Sequence, residues 1–267
     1  MQVTEHYLPF VEAAEVLPQP EKLRALLEKH GYLLIRGVVP VEVVLRARHD
    51  ILEVCRDAGW VQGDTALMDA VWSGLGPFTE NEPEYMAVYR KIIRLDSFNE
   101  LPQHPQILEL MAKVIGGEVL AHRRRIGRVT FPQNGGQTTG IHQDWYYIRG
   151  TPQTYTLWTP LGDCPRELGG VAVLSGSHRA GFIDHDTYPE KKYAAFGLPE
   201  EKLPEGEGIE WHAGDFAAGD ALIFHSHTIH KALPNLTSDR MRLSTDNRYQ
   251  LAGTEIEPGS LGTHYGL

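Results

Sequence analysis

The chain has 267 residues, 42% hydrophobic and 22% charged, which suits a globular protein with a buried core. Its formal charge of −10 argues against nucleic acid or an anionic membrane as partner, since both select for basic surfaces. Cys55 and Cys164 form neither a disulfide framework nor a metal-type spacing, and Met1 to Phe10 holds Glu5 without a long apolar run, so a cytoplasmic protein with no signal peptide or membrane span is expected.

Pro18 to His30 predicts an amphipathic helix, with Leu23, Leu26 and Leu27 on one stripe and Gly31 as its stop. Tyr32 to Arg36 predicts a strand turned by Gly37. Pro40 to Gly59 predicts a second helix, opened by proline where a missing N–H costs nothing and closed by glycine. Val61 to Glu84 has no clear period and predicts a loop covering a site. Pro105 to Ile115 predicts a third helix, ended by Gly116 and Gly117.

From Glu118 the character changes to short apolar or alternating runs between Gly, Pro and Asn clusters. These are Val119 to Phe131, Gly140 to Arg149, Thr154 to Leu161, Gly170 to Leu174, Phe216 to Phe224 and Met241 to Tyr249. Short strands at this spacing predict a sandwich or barrel. Helices first and strands later give an α+β, mainly β, fold with the helices on one side of a jelly roll. Ala180 to Glu210 is polar and proline-bearing, and predicts an insertion or lid. No linker divides the chain, so residues 1–267 are expected to form one domain.

The chemistry centres on Gly140-Ile141-His142-Gln143-Asp144-Trp145. On a strand, His142 and Asp144 point to one face because side chains alternate with a period of two. An imidazole and a carboxylate on a common face are two parts of a two-histidine, one-carboxylate site for non-haem Fe(II), which leaves positions open for oxygen and a co-substrate. His225, His227 and His230 compete for the third position, and periodicity does not choose among them. Further on, Arg242 and Ser244 share a strand face, where a guanidinium fork and a hydroxyl suit a carboxylate. A one-step slip of register makes Arg240 the anchor instead. Strand alternation sets Tyr146 beside the ligands, and Gln143 joins it as a substrate-binding candidate. Arg123 to Arg125 read as a solvated charge run, with the sharper alternative that Arg124 and Arg128 recognise an anionic group of the substrate.

With these residues in order, the chain resembles the phytanoyl-CoA dioxygenase family. The similarity runs from about Pro20 to Gln250 and includes His142-Gln143-Asp144-Trp145, Leu157-Trp158-Thr159-Pro160-Leu161, Gly169-Gly170 through Ser177-His178, Gly219-Asp220 leading to His230, Asn235 and Arg242-Leu243-Ser244. The resemblance implies a double-stranded β-helix and an Fe(II)- and 2-oxoglutarate-dependent oxygenase that uses O2. It implies that His142, Asp144 and His230 bind iron and that Arg242 holds the distal carboxylate of 2-oxoglutarate. Trp158 would line the co-substrate pocket, with Ser244 beside Arg242, and Arg128 and Thr130 as further pocket residues. Related halogenases replace the carboxylate with a small residue; Asp144 is intact here, which favours hydroxylation or a related two-electron oxidation over halogenation, and a hydroxylase of a small metabolite is expected. The competing reading is a metal-binding jelly roll without oxygenase chemistry, an isomerase or sensor, which has no need of the Arg242 and Ser244 anchor. Neither the substrate nor the oligomeric state is written in these motifs.

Overall fold

The computed structural model describes residues 6–132, 138–187 and 196–266. Helix α1 (Pro20–His30) leads into strand β1 (Tyr32–Ile35) through Gly31, whose φ of 75° is the left-handed position that ends a helix. A Cβ at Gly31 would meet His178 Nδ1 at 2.5 Å and Thr228 Oγ1 at 2.8 Å, so space as well as conformation demands glycine. Helix α2 spans Val41–Asp57. The following loop ends earlier than expected, because two helices lie where none was anticipated: α3 (Pro83–Ile92) and α4 (Asp96–Glu100). Helix α3 is legible in retrospect, with Pro83 in its first turn and Tyr85, Val88, Tyr89 and Ile92 forming a buried stripe at helical spacing. Helix α5 covers Pro105–Ile115, as expected.

The rest is antiparallel sheet. Val119 to Phe131 divides into β2 (Val119–Ala121) and β3 (Ile126–Thr130), with the arginine run in the loop between them. The expected strand from Gly140 to Arg149 is cut to β4 (His142–Gln143), after which the chain coils into a single turn, α6 (Trp145–Ile148). There follow β5 (Thr154–Pro160), β6 (Val171–Leu174), β7 (Asp186–Thr187), β8 (Phe196–Gly197) and β9 (Trp211–His212). The last strands are β10 (Ala221–His225), β11 (Ile229–Ala232) and β12 (Arg242–Leu251). Phe216, expected at the start of a strand, makes only an isolated bridge to Cys164.

One sheet has six strands in the order β1-β10-β5-β12-β2, with β3 also paired to β12; the other has four, β4-β11-β6-β9. Period-two alternation explains what lies on either side of the larger sheet. Leu33, Ile35, Leu157, Ile223, Leu243 and Tyr249 join one buried cluster with the helices. Their neighbours Tyr32, Leu34, Trp158, Leu222 and Phe224 turn the other way and pack on Val171 and Val173 of the smaller sheet. Helices therefore back one sheet, and the site lies between the two sheets. Among the described residues, no helix is long and apolar enough to cross a membrane.

Candidate active site

Two separate sheet features bring His142 and His230 together. Strand β10 stops at His225, and the Thr228 amide donates to the His225 carbonyl at 2.8 Å, so the chain turns out of the larger sheet into β11 of the smaller one. There His230 is the register partner of His142, and the two ring centroids are 4.1 Å apart. The three competing histidines are thus not on one strand. His225 ends β10 against the rings of Tyr155, His178 and His227, and neither it nor His227 joins the cluster.

Asp144 reaches the same point by a route different from strand alternation. Its φ of −60° and ψ of −32° are helical, and it leads directly into α6. Potential ligand atoms of His142, Asp144 and His230 all lie within 4.8 Å of one another, and all three residues are buried. Each imidazole has its Nδ1 against a main-chain carbonyl, His142 on Gly140 at 2.7 Å and His230 on Thr228 at 2.9 Å. A proton on Nδ1 satisfies that carbonyl and leaves Nε2 as a lone pair for a metal. The two Nε2 atoms lie 3.7 and 3.8 Å from Asp144 Oδ1. The residues therefore fit a divalent cation bound by two nitrogens and one oxygen.

The electrostatics favour the same protonation states. Burial, then the neighbouring His230, holds His142 well below the ordinary imidazole range, and burial lowers His230 as well. Burial alone would raise Asp144, but Arg248, then His230 and His142, and last the Thr156 hydroxyl together outweigh it and keep the carboxyl ionised. Thr156 donates to Asp144 Oδ2, and Arg248 Nη2 lies 3.1 Å from both carboxylate oxygens. Neither residue was anticipated from the sequence. The signal for Arg248 was available, because Arg242, Ser244, Asp246 and Arg248 alternate along β12 and share its inner face.

Next to the cluster is a narrow pocket lined by His230, Trp158, Phe224, Arg242, Asp246 and Arg248. Arg242 is 3% exposed, and its Nη2 donates to Thr130 Oγ1 at 2.7 Å across the β12–β3 pair. Ser244 Oγ is buried without a hydrogen-bond partner among the described residues. Arg240 lies outside β12, exposed, in an isolated bridge to Val71. Trp158 packs its ring on Phe216 at 4.7 Å.

On the other side, a cavity of about 330 Å³ opens from His142 and Asp144 past Ile126, Tyr147, Ile148 and Phe196. Arg128 borders both spaces; its Nε donates to Asp246 Oδ2 at 2.8 Å, and its Nη1 approaches Glu80 at 3.5 Å. Two expected substrate contacts are corrected. Tyr146 stacks on His185 at 4.5 Å and is absent from the cavity wall, because helical turn α6 replaces the strand that would have aimed it inward; its neighbour Tyr147 lines the cavity instead. Gln143 is fully buried and fastens the segment after β6: its amide nitrogen donates to the Gly181 and His227 carbonyls at 2.8 and 2.7 Å, and its carbonyl accepts from the Ile183 amide at 2.8 Å. The expected lid from Ala180 to Glu210 is described only in part, since residues 188–195 lie outside the described residues; the β7–β8 pair at its centre supplies Phe196 to the cavity.

A helix-backed pair of antiparallel sheets holding two histidines and one carboxylate between them defines the class as a non-haem metalloprotein. Residues 27–244 match the model of the phytanoyl-CoA dioxygenase (PhyH) family, and the chain belongs to that family. With membership come the family's cofactors, iron and 2-oxoglutarate. The chain is 29% identical over 262 residues to 1-deoxypentalenic acid 11-beta-hydroxylase of Streptomyces exfoliatus, covering 94% of this chain and 88% of that one. It is 25% identical over 231 residues to the human peroxisomal phytanoyl-CoA dioxygenase, covering 80% and 63%. Among solved structures, the epimerase SnoN in complex with Fe3+, alpha ketoglutarate and nogalamycin RO aligns over 90% of this chain and 87% of its own, with a TM-score of 0.61 and 22% identity. The carbocyclase SnoK from nogalamycin biosynthesis aligns over 94% and 90%, with a TM-score of 0.58 and 24% identity.

Proposed function

We propose that the protein is an Fe(II)- and 2-oxoglutarate-dependent dioxygenase that hydroxylates a small metabolite, with O2 as oxidant and succinate and CO2 as co-products. The observation that carries this reading is the adjacency of the His142, Asp144 and His230 cluster to a pocket lined by a buried arginine, Arg242, two residues along β12 from Ser244, whose buried hydroxyl has no partner among the described residues. A cation site alone would suit many proteins; a cation beside a dicarboxylate anchor suits a 2-oxo acid. The sheets are read as a double-stranded β-helix, with residues 1–267 as one domain and the segment from Ala180 to Glu210 as a lid. Cys55 and Cys164 are both free and buried, in keeping with a reducing cytoplasm.

His142, Asp144 and His230 would hold the iron. Arg242 would pair with the distal carboxylate of 2-oxoglutarate, held in direction by Thr130, while Ser244 adds a donor and Trp158 forms the pocket wall. When bound, the iron and 2-oxoglutarate supply the oxidising chemistry; the protein supplies orientation and exclusion of water. Arg128, shared by both spaces, sets the boundary between co-substrate and substrate. Hydroxylation is preferred over the epimerisation and ring closure named for SnoN and SnoK because the similarity to a hydroxylase runs over 94% of this chain at 29% identity, and over halogenation because Asp144 leaves no ligand position for a halide.

The test is anaerobic addition of Fe(II) and 2-oxoglutarate together, which should produce a weak visible absorption band absent with either alone. Metal-loaded protein that gives no band would sink the assignment. Asp144→Ala should abolish oxygen-coupled succinate release, and full turnover in that variant would mean the ligand set is wrong.

A further inference from the structure

The cavity on the substrate side of His142 carries three arginines, and they are not alike. Arg248 faces Asp144, and Arg128 faces Asp246 and Glu80. Arg124 pairs with no carboxylate among the described residues; its one side-chain hydrogen bond is from Nη1 to the Tyr147 carbonyl at 2.9 Å. That bond pins the guanidinium to the residue whose ring lies 5.7 Å from His142, and leaves Nε and Nη2 as donors. The main chain of Arg124 is tied to the C-terminal segment as well, through its amide and the Ser260 carbonyl.

That segment brings a second donor. His264 is 6% exposed, lines the same cavity, and has its Nδ1 2.6 Å from the Tyr89 hydroxyl. Burial keeps the Tyr89 hydroxyl protonated; in the tautomer in which it donates to Nδ1, the imidazole carries its own proton on Nε2 and offers it as a donor. His264 and Arg124 line the same cavity, and the Arg124 amide is bonded to the segment that carries His264. Ile126, Ile148, Phe196 and the ring of Tyr147 give the wall an apolar stretch; Thr139, Asn81, Tyr265 and Glu80, the last facing Arg128, line it as well.

Resting on the reading of an oxygenase, we propose that Arg124 and His264 form a carboxylate subsite and that the substrate is a compact, largely apolar carboxylic acid. Its acid group is gripped there, and its hydrocarbon body crosses the apolar wall toward His142 and Asp144. One guanidinium with no salt-bridge partner among the described residues and one neutral donor match a single carboxylate, not a diphosphate. A space of about 330 Å³ is at the small end for ligand pockets, roughly 300–1,000 Å³, and does not admit a coenzyme thioester whole.

The test uses 1-adamantanecarboxylate and its neutral isostere 1-adamantanecarboxamide as probes. Each is titrated anaerobically into protein saturated with Fe(II) and 2-oxoglutarate, and binding is read by calorimetry and by change in the visible band. The acid should bind at least about ten-fold more tightly than the amide, as expected for a charge-assisted hydrogen bond. Arg124→Gln should remove that preference, Arg124→Lys should restore part of it, and His264→Phe should reduce it. Equal affinities, no binding of the acid, or a preference that survives Arg124→Gln overturns the subsite. The band before probe addition separates the two readings: its loss condemns the oxygenase assignment, whereas an intact band without acid preference condemns only the subsite.

Discussion

Arg248 Nη2 lies 3.1 Å from both oxygens of Asp144, so the carboxylate that faces the two histidines is held from behind by a buried cation. Burying an ionised carboxylate is costly unless it is paired and hydrogen-bonded, and Arg248 together with Thr156 provides both. The pair also fixes which oxygen is directed at His142 and His230. A metal therefore meets a carboxylate whose direction is set before it arrives.

Arg248→Met is expected to weaken Fe(II) binding by roughly 10- to 100-fold, the usual range for partners that orient a ligand. Titration with Fe(II), or with Co(II) as an air-stable probe, measures it. Affinity unchanged from the parent would show that Asp144 holds its direction without the arginine.

Arg242 and Arg240 separate cleanly by burial. Arg242→Ala should raise the 2-oxoglutarate concentration needed for half-maximal succinate release by roughly 10- to 100-fold, as for loss of a charge-assisted pair. Arg240→Ala, at an exposed position outside the pocket, should leave it unchanged. The reverse pattern would move the anchor to Arg240.

Gln143 has its side chain fully committed to the main chain of two other segments. Gln143→Leu leaves two carbonyls and one amide without those partners, and should destabilise the fold by on the order of 1–3 kcal/mol. Denaturant unfolding of the metal-free protein measures the loss. A stability within error of the parent would mean that water replaces the amide at no cost.

Three buried histidines set an acid limit on stability. Burial lowers His122 to about 4, and His225 and His264 to about 3. In the unfolded chain each regains an ordinary value near ~6.5, so below that pH the unfolded state binds more protons and is favoured. Their contribution to stability is complete above about pH 6.5 and declines as pH falls toward the folded values. The melting temperature should therefore drop between about pH 6.5 and 5, where carboxylates are still largely ionised. A flat profile across that window would contradict neutral, buried imidazoles.

Much of the fold was readable because it rests on local pattern. Helix α5 and β1 follow from apolar periodicity and glycine stops, and α3 carries a buried stripe at helical spacing after Pro83, inside a stretch whose glycines and scattered acids mask its start. The site was readable where a residue type is chemically unusual: a His-x-Asp, a later histidine and an Arg-x-Ser in order. It was misread where side-chain direction depended on an assumed strand. Asp144 begins a helical turn, so Tyr146 swings to His185 and Tyr147 takes the cavity.

The amino-acid sequence alone determined the set of ligand types and their order along the chain, since metal chemistry restricts which side chains serve. Only the tertiary structure decided which histidine completes the set, because His225 and His230 are separated by a turn from one sheet into the other. It also decided that Arg248 stands behind Asp144 and that Arg124 shares a cavity with His264. Those pairs lie 104 and 140 positions apart, as Asp144 to Arg248 and Arg124 to His264. No periodicity spans such distances; packing of the sheets and of the C-terminal segment brings them together.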